Sequence, residues 1–254
     1  MVFHIVLIYI IAIIARTEVK KMKGFTMKIG IIVAMHSEFD LVRNILQQPV
    51  QKQHNHLTFI EGTIENKPVV LMKSGIGKVN AACACVEMIN KFKPDVIINT
   101  GLAGGIDKKL SVMDIVLAAE TSYHDVYCGD DCKIGQVQGL PAEFEGNKKL
   151  IEIAQNIETD LNIHTGLIVG GDTFVSDIKT LSEIKGKFPD ALAVDMESTA
   201  ISQICFLYNV PFLAIRIISD TPGIENHYAQ YLDFWEKAPE KSVETIKKIL
   251  AQCS

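Results

Sequence analysis

Residues 93–105 read KPDVIINTGLAGG, and this stretch decides the fold class. Its run Asp95–Thr100 is largely apolar and lies between Pro94 and Gly101, which is typical of a short buried strand. A similar run, KIGIIVAM, covers Lys28–Met35. Continuous Val/Ile/Leu runs of this kind occur in parallel sheets, where strands are buried on both faces.

The same kind of segment recurs in both directions along the chain. Apolar runs closed by glycine or by a polar turn alternate with segments of helical spacing. Strands are predicted over Leu57–Ile64, Lys67–Lys73, Asp114–Ala119, Gly166–Val169 and Pro211–Ile218, and helices over Lys78–Phe92, Asn147–Asn156, Ile178–Phe188, Thr199–Tyr208 and Lys237–Cys253. This order predicts the α/β class: a single α/β/α domain with a mixed, largely parallel central sheet that is covered on both faces.

Composition narrows the function classes. The chain has 254 residues and a formal net charge of −5, with 48% hydrophobic and 22% charged residues. These values exclude a wholly disordered chain. The mild acidity argues against a nucleic-acid binder, which normally has a basic face. We therefore expect a small-molecule partner and no nucleic acid.

The six cysteines bear on the compartment and on metal binding. They are too sparse for a disulfide scaffold, so we expect a reducing, cytoplasmic location. Cys128 and Cys132 form a C-x3-C pair with no matching His or Cys pair downstream. Zinc ligation and ordinary thiols are both open for this pair, and the spacing favours thiols. We expect no bound metal.

The N-terminus differs from the rest of the chain. Val2–Ala15 is almost entirely apolar but shorter than the about 20 residues of a spanning helix. No basic residue precedes it, as one would in a signal peptide. Met27 directly precedes the first predicted strand. We divide the chain into an extension, residues 1–26, and a domain, residues 27–254. The extension is either a membrane anchor or a start-site artefact, and membrane contact is expected only if it is retained.

Carboxylates and glycines follow most of the predicted strands. In open α/β sheets, small molecules bind at the carboxyl ends of the strands. We therefore expect a site for a polar ligand along this edge of the sheet. The segments that meet there are residues 34–38, 74–79, 100–105, 123–125, 170–174, 195–197 and 219–221.

Two glycine motifs at this edge allow two interpretations. Gly75-x-Gly77-Lys78 lacks the spacing of a P-loop, and Gly101-x-x-Gly104-Gly105 lacks that of the dinucleotide fingerprint. Each motif is either a plain strand-to-helix turn or a place where the backbone approaches a sugar or base.

Three acids in these segments also have ordinary explanations. An Asp at position 220, before Thr-Pro-Gly, commonly caps a turn. Glu197 and Glu38 open predicted helices, where an acid suits the helix dipole. The functional alternative is acid–base chemistry on a bound ligand. No single acid decides between these interpretations.

Taken together, the motifs are specific. They resemble those of the methylthioadenosine/S-adenosylhomocysteine nucleosidases, a family of the purine nucleoside phosphorylase superfamily. The resemblance implies a nucleoside phosphorylase-like fold, hydrolysis of the N-glycosidic bond between adenine and a 5′-thio-substituted ribose, a homodimer, and no metal or organic cofactor. It rests on residues 28–38, 74–82, 93–105, 123–125, 166–174, 194–201 and 216–220.

The resemblance also implies a role for each matching residue. Asp220 would be the general acid at the five-membered ring of the purine, and Glu38 would position and deprotonate the attacking water. Glu197 would hold the ribose hydroxyls, with Met196 packing on the sugar. The remaining residues would bind or support: Phe174 would stack on adenine, Val175 would offer it backbone hydrogen bonds, Ser74 would lie near the water and sugar, and Ser219 and Arg216 would support Asp220 and the site.

The loop after the first predicted strand bears on whether water or phosphate attacks the glycosidic bond. Phosphorolytic relatives need a cationic group to bind phosphate, whereas Glu38 stands in the loop after the first strand. Arg43 lies further along the first helix, where a solvated face is its expected place. This arrangement favours hydrolysis.

Several positions depart from the family pattern. Asp195 replaces a usual Glu, Ser198 a usual Ala and Leu102 a small polar residue, while Val126–Ile134 is shorter and more polar than usual. The preferred 5′ substituent is therefore open. The alternatives are a hydrolase of another adenine nucleoside, such as aminodeoxyfutalosine or deoxyadenosine, and a nucleoside-binding protein without catalysis. His124 is either a ligand residue or, as we favour, a structural hydrogen-bonding residue.

Overall fold

The computed structural model describes residues 27–220 and 239–253. The extension predicted over residues 1–26 lies outside the described residues, so its separation from the domain stays a prediction. Within the described ranges, no helix combines the length and the apolar character needed to cross a bilayer.

Ten strands and six helices alternate along the described part of the chain, and every predicted element is among them. The strands are β1 (Ile29–Val33), β2 (Gln47–His54), β3 (Leu57–Ile64), β4 (Lys67–Lys73), β5 (Val96–Gly105), β6 (Ile115–Tyr123), β7 (Phe144–Glu145), β8 (Ile163–Gly170), β9 (Ala191–Asp195) and β10 (Phe212–Asp220). The helices are α1 (His36–Arg43), α2 (Lys78–Phe92), α3 (Lys148–Gln155), α4 (Ile178–Lys187), α5 (Ser198–Tyr208) and α6 (Pro239–Gln252).

All ten strands belong to one mixed sheet, which confirms the predicted α/β class. The strand order is β10-β6-β8-β9-β5-β1-β4-β3-β2, with β7 paired to β6. The central strand β1 is parallel to β4 and β5, while β2, β3 and β4 form an antiparallel edge. Because β10 pairs with β5 as well as with β6, five strands close into a ring, β5-β10-β6-β8-β9. This closure was not predicted from the sequence.

The sheet is covered on both faces, as predicted. Along β1, Ile31 and Val33 belong to one core cluster and Ile32 to another, because successive side chains of a strand point to opposite faces. The first cluster includes apolar side chains of α1, α3 and α6, and the second includes side chains of α2 and α5.

The second glycine motif is part of a strand, so the strand-to-helix turn interpretation is wrong for it. β5 continues through Gly101–Gly105 and pairs with β10 on one side and β9 on the other. A Cβ at Gly105 would lie 2.9 Å from the Ile218 side chain, so small residues are needed here. The first motif is a turn before α2, and its Gly75 and Gly77 have φ angles of +89° and +95°.

Three strands were not predicted: β2, β9 and the two-residue strand β7. β2 has the polar sequence QQPVQKQH and is mostly exposed at the sheet edge, where polar residues and Pro49 are tolerated. β9 is fully buried, but its sequence ALAVD contains few residues of high β propensity. Its last residue, Asp195, brings a carboxylate to the edge of the sheet where the site was predicted.

Candidate active site

A cleft opens at the carboxyl ends of the strands, where the sequence predicted a ligand site. Its volume, including the open mouth, is about 750 Å³. Seven of the nine residues that the resemblance assigns line this one cleft: Glu38, Phe174, Val175, Met196, Glu197, Ser219 and Asp220. The chain therefore brings the predicted acid and the predicted base to a shared cavity.

Glu38 is held rigidly by the backbone. Its carboxylate is buried and accepts hydrogen bonds from the N–H groups of Ala34 and Met35, both at 2.9 Å, and of Leu102 at 3.2 Å. Burial raises the pKa of Glu38, while these hydrogen bonds and the charge of Arg216 oppose the rise. A fixed carboxylate with a raised pKa is suited to accept a proton from water.

Glu197 precedes α5 and faces the turn before α2. The Gly77 N–H donates to its Oε1 at 2.9 Å. Burial raises the pKa of Glu197 to about 7, and the negative charges of Asp195 and Glu38 add to the rise. Its carboxyl group can therefore donate or accept a hydrogen bond near neutral pH.

Asp220 ends β10 and is buried. The Ser219 hydroxyl donates to Asp220 Oδ1 at 2.6 Å, which matches the predicted support of Asp220 by Ser219. Because β10 pairs with β5, Asp220 lies opposite Gly104 in the register, and both residues line the cleft.

Arg216 lies outside the cleft lining and pairs with Asp195. Its Nε and Nη2 both lie 2.7 Å from Asp195 Oδ2, and it also donates to the Asn99 carbonyl at 3.1 Å and to the Asn99 side-chain oxygen. Arg216 thus contacts the site through Asp195, which lines the cleft. Its positive charge acts on the site by lowering the pKa values of Glu38 and Glu197.

Asp195 was predicted to lie at this edge and noted as a departure from the family pattern, but it was given no role. It lines the cleft and also accepts hydrogen bonds from the N–H and hydroxyl of Ser198 at the start of α5. The sequence feature that could have pointed to Asp195 is an acid at the end of an apolar run, but this run, β9, was not predicted to be a strand.

The predicted ligand-contacting side chains differ in exposure. Phe174 is 56% exposed, which leaves its ring free to contact a planar ligand, whereas Val175 is buried in the wall. Ser74 is not among the described residues that line the cleft, and its hydroxyl lies within hydrogen-bonding distance of the carbonyls of Val33 and Gly75, at 3.2 and 2.8 Å. Its expected role near the water and sugar stays a prediction.

Two further sequence hypotheses are resolved in different ways. His124 is buried, yet its Nε2 has no hydrogen-bond partner among the described residues, so the structural hydrogen bond expected of it is not made at that atom. Cys128 and Cys132 are free thiols. Over residues 27–220 and 239–253, no group of His, Cys, Asp and Glu side chains could hold a metal ion.

Comparison with known proteins gives the family of this fold and site. A model of the phosphorylase superfamily matches residues 28–251. A 5′-methylthioadenosine/S-adenosylhomocysteine nucleosidase of an Exiguobacterium species is 42% identical over 229 residues, covering 89% of this chain and 97% of that protein. A crystal structure of the nucleosidase from Neisseria meningitidis, in complex with methylthio-immucillin-A, has a TM-score of 0.84 and 36% identity, covering 88% and 98% of the two chains. The nucleosidase from Colwellia psychrerythraea, in complex with adenine, has a TM-score of 0.85 and 36% identity, with 90% and 96% covered.

Proposed function

Since this chain belongs to the phosphorylase superfamily and, within it, to the 5′-methylthioadenosine/S-adenosylhomocysteine nucleosidases, we propose that it hydrolyses the N-glycosidic bond of these two nucleosides. The products are adenine and the thio-substituted ribose. The observation that carries the proposal is the cleft shared by Glu38 and Asp220, which offers a base and an acid to one bound molecule.

Asp220 acts as the general acid. Adenine leaves poorly as an anion, so the purine must gain a proton on its five-membered ring as the bond to the sugar breaks. The electron pair of the glycosidic bond goes to adenine, and the ribose becomes oxocarbenium-like. The hydroxyl of Ser219, 2.6 Å from Asp220 Oδ1, fixes the orientation of this carboxyl group.

Glu38 acts as the base for the attacking water. The water oxygen bonds to the anomeric carbon of the sugar, and its proton passes to the Glu38 carboxylate. Three backbone N–H groups hold that carboxylate in place, so little reorganisation is needed when the proton moves. The negative charge of Glu38 also stabilises the cationic sugar.

The substrate is held between two parts of the cleft. Glu197 binds the ribose hydroxyls, and Met196 packs on the sugar. The exposed ring of Phe174 stacks on adenine, and the backbone at Val175 hydrogen-bonds its edge. The position of all four residues in the cleft lining supports this pose.

Charge favours water over phosphate as the second substrate. Among the described residues that line the cleft, the ionisable ones are all acids: Glu38, Asp195, Glu197 and Asp220. A phosphate dianion would be repelled by ionised carboxylates here, and the buried cation behind them, Arg216, is engaged by Asp195.

A panel of adenine nucleosides tests the function. We expect free adenine from methylthioadenosine and from S-adenosylhomocysteine at rates that do not change when phosphate is added. Aminodeoxyfutalosine and deoxyadenosine serve as comparison substrates. A strict requirement for phosphate would contradict hydrolysis, and adenine binding without turnover of any nucleoside would favour a binding protein.

We also propose that the protein is a homodimer whose interface lies beside the cleft mouth. Four large apolar side chains in this region are more than half exposed. Ile76 and Phe174 line the cleft, and Val79 and Ile178 lie within four residues of lining residues in the sequence. A second copy of this chain would cover such side chains. Sedimentation equilibrium should give twice the chain mass of 28.1 kDa, and a monomer at micromolar concentration would refute the interface.

A further inference from the structure

Lys78, Asp125 and Asp172 form a closed ring of hydrogen bonds, which we call the clasp. Lys78 Nζ donates to Asp125 Oδ2 at 2.7 Å, and the Asp172 N–H donates to the same oxygen at 2.9 Å. The Lys78 N–H donates to Asp172 Oδ1 at 2.8 Å. Each member therefore contacts the other two, and the clasp joins the segments that follow β4, β6 and β8.

Two of the joined segments carry residues of the cleft. Ile76 lies on the turn between β4 and α2, and Phe174 lies two residues after Asp172. Phe174 is largely exposed, so packing of its own side chain restrains this loop little. The clasp therefore joins the two sides of the cleft through polar contacts.

The clasp is also connected to the Glu197 carboxylate through one peptide unit. The N–H of Gly77 donates to Glu197 Oε1 at 2.9 Å, and the N–H of the next residue, Lys78, donates to Asp172. A Cβ at Gly77 would lie 3.0 Å from Asp172 Oδ1, so the backbone approaches that carboxylate closely. Because the two donors are consecutive, a displacement of Asp172 also displaces the donor that orients Glu197.

The side chains of the clasp are partly exposed, so their contacts can position the loops without contributing much to the stability of the fold. The side chains of Lys78 and Asp125 are about a quarter exposed and that of Asp172 about half. Ion pairs of this exposure contribute little to the stability of a fold. The Lys78 ammonium also lies 5.4 Å from the centre of the Tyr123 ring, which restrains the lysine from a third side.

We propose that Lys78, Asp125 and Asp172 are positioning residues that fix the two sides of the cleft and present the Gly77 N–H to Glu197. This inference rests on the proposed function only in the choice of substrate for its assay. None of the three residues is among the described residues that line the cleft. They act through the loop geometry on the groups that bind ribose and base.

The test is the variant Lys78→Met, which keeps the aliphatic stem and removes the charge. Glu197 and Phe174 contact the nucleoside both before and during bond cleavage, so their displacement weakens binding in both states. We expect KM for methylthioadenosine to rise about tenfold and kcat to change less than about threefold. Lys78→Arg, which can still donate to Asp125, should recover most of the lost affinity. In the double variant with Asp125→Asn, the two effects should not add, because both remove the same contact.

Lys185→Met is the matched control. Lys185 makes an ion pair with Asp107 at 3.1 Å, with side chains 24% and 26% exposed, and neither residue lines the cleft. We expect wild-type KM in this variant. The positioning role of the clasp would be contradicted by a KM within twofold of wild type in Lys78→Met, or by an equal rise of KM in Lys185→Met. Neither result would contradict the nucleosidase function.

Amide hydrogen exchange gives a second readout that needs no turnover. In Lys78→Met, the amide hydrogens of Gly77 and Asp172 should exchange faster than in the wild type, while the midpoint of thermal unfolding should not change. If the wild type released no adenine, the proposed function would be wrong, and hydrogen exchange alone would test the positioning role of the clasp. Unchanged exchange at both amides would then overturn it.

Discussion

The Arg216 guanidinium lies 2.7 Å from Asp195 Oδ2, and both side chains are almost completely buried. Arg216 also lowers the pKa values of Glu38 and Glu197. A single buried cation among the described residues, Arg216, therefore partly compensates the negative charges of several buried acids at the end of the sheet. Its loss would leave the Asp195 charge without its partner.

Arg216→Met should strongly destabilise the protein. Removing one partner of a buried ion pair costs about 3–5 kcal/mol, because the other charge stays buried and uncompensated. Urea unfolding at pH 7 measures the loss. Arg43→Met is the control, since Arg43 is exposed and surface substitutions stay within about 0.5 kcal/mol. Equal effects of the two substitutions would show that the Asp195 pair contributes nothing.

The titration of Glu197 should make stability depend on pH. Its pKa is raised from 4.5 to about 7 in the folded protein, chiefly by burial. A raised pKa means that folding favours the protonated carboxyl group, so this contribution is complete below pH 4.5 and is lost as the pH rises through 7. The difference corresponds to about 3 kcal/mol.

Glu197→Gln removes this titration and isolates its effect. Between pH 4.5 and 7, the free energy of unfolding of the wild type should fall relative to that of the variant by up to about 3 kcal/mol. Urea unfolding at several pH values measures both curves. Parallel curves over that interval would mean that Glu197 titrates at its ordinary pKa in the folded protein.

The sequence was sufficient to predict which edge of the sheet carries the candidate site, because the informative residues follow strands. Glu38 and Asp220 each come after an apolar run that is recognisable without any structure, and the carboxyl ends of such strands meet at one edge. The expected acids therefore lie in one cleft. The same argument also predicted the element types, including the pair β3 and β4 with their bounds.

Other features depend on contacts between distant segments, which local patterns do not contain. Gly101–Gly105 resembles a loop, but pairing with two neighbouring strands extends β5 through it. Arg216 was expected to support Asp220 and the site, and its pairing with Asp195 follows from the closure of the sheet, which no local pattern predicts. The clasp likewise joins three segments whose proximity follows only from the strand order.

Asp220→Asn should remove the proton donor while keeping the shape of the site. We expect kcat to fall by about 10²–10⁴, the range typical of a general acid, and substrate affinity to change little. Single-turnover release of adenine and equilibrium binding of an unreactive analogue measure the two effects separately. The neighbouring Ser219→Ala, which removes the hydrogen bond to Oδ1, should lower kcat less. Near-normal turnover in Asp220→Asn would assign the acid role to another group.

Gly101→Ala tests how closely the backbone approaches the predicted base. A Cβ at Gly101 would lie 2.7 Å from Glu38 Oε1, too close for the carboxylate to stay in place. Glu38 cannot turn away without losing the N–H groups of Ala34 and Met35. Since a displacement of about 1 Å can cost about 100-fold in rate, we expect a loss of kcat of this order.

The matched control for this substitution is Gly186→Ala in α4. A Cβ there would meet no atom within 4 Å, and alanine in a helix is more stable than glycine by about 0.5–1 kcal/mol. This variant should keep the wild-type kcat and unfold at an equal or higher temperature. If Gly101→Ala remained folded with kcat within twofold of wild type, the Glu38 carboxylate would have to tolerate displacement, and its role as a fixed base would be untenable.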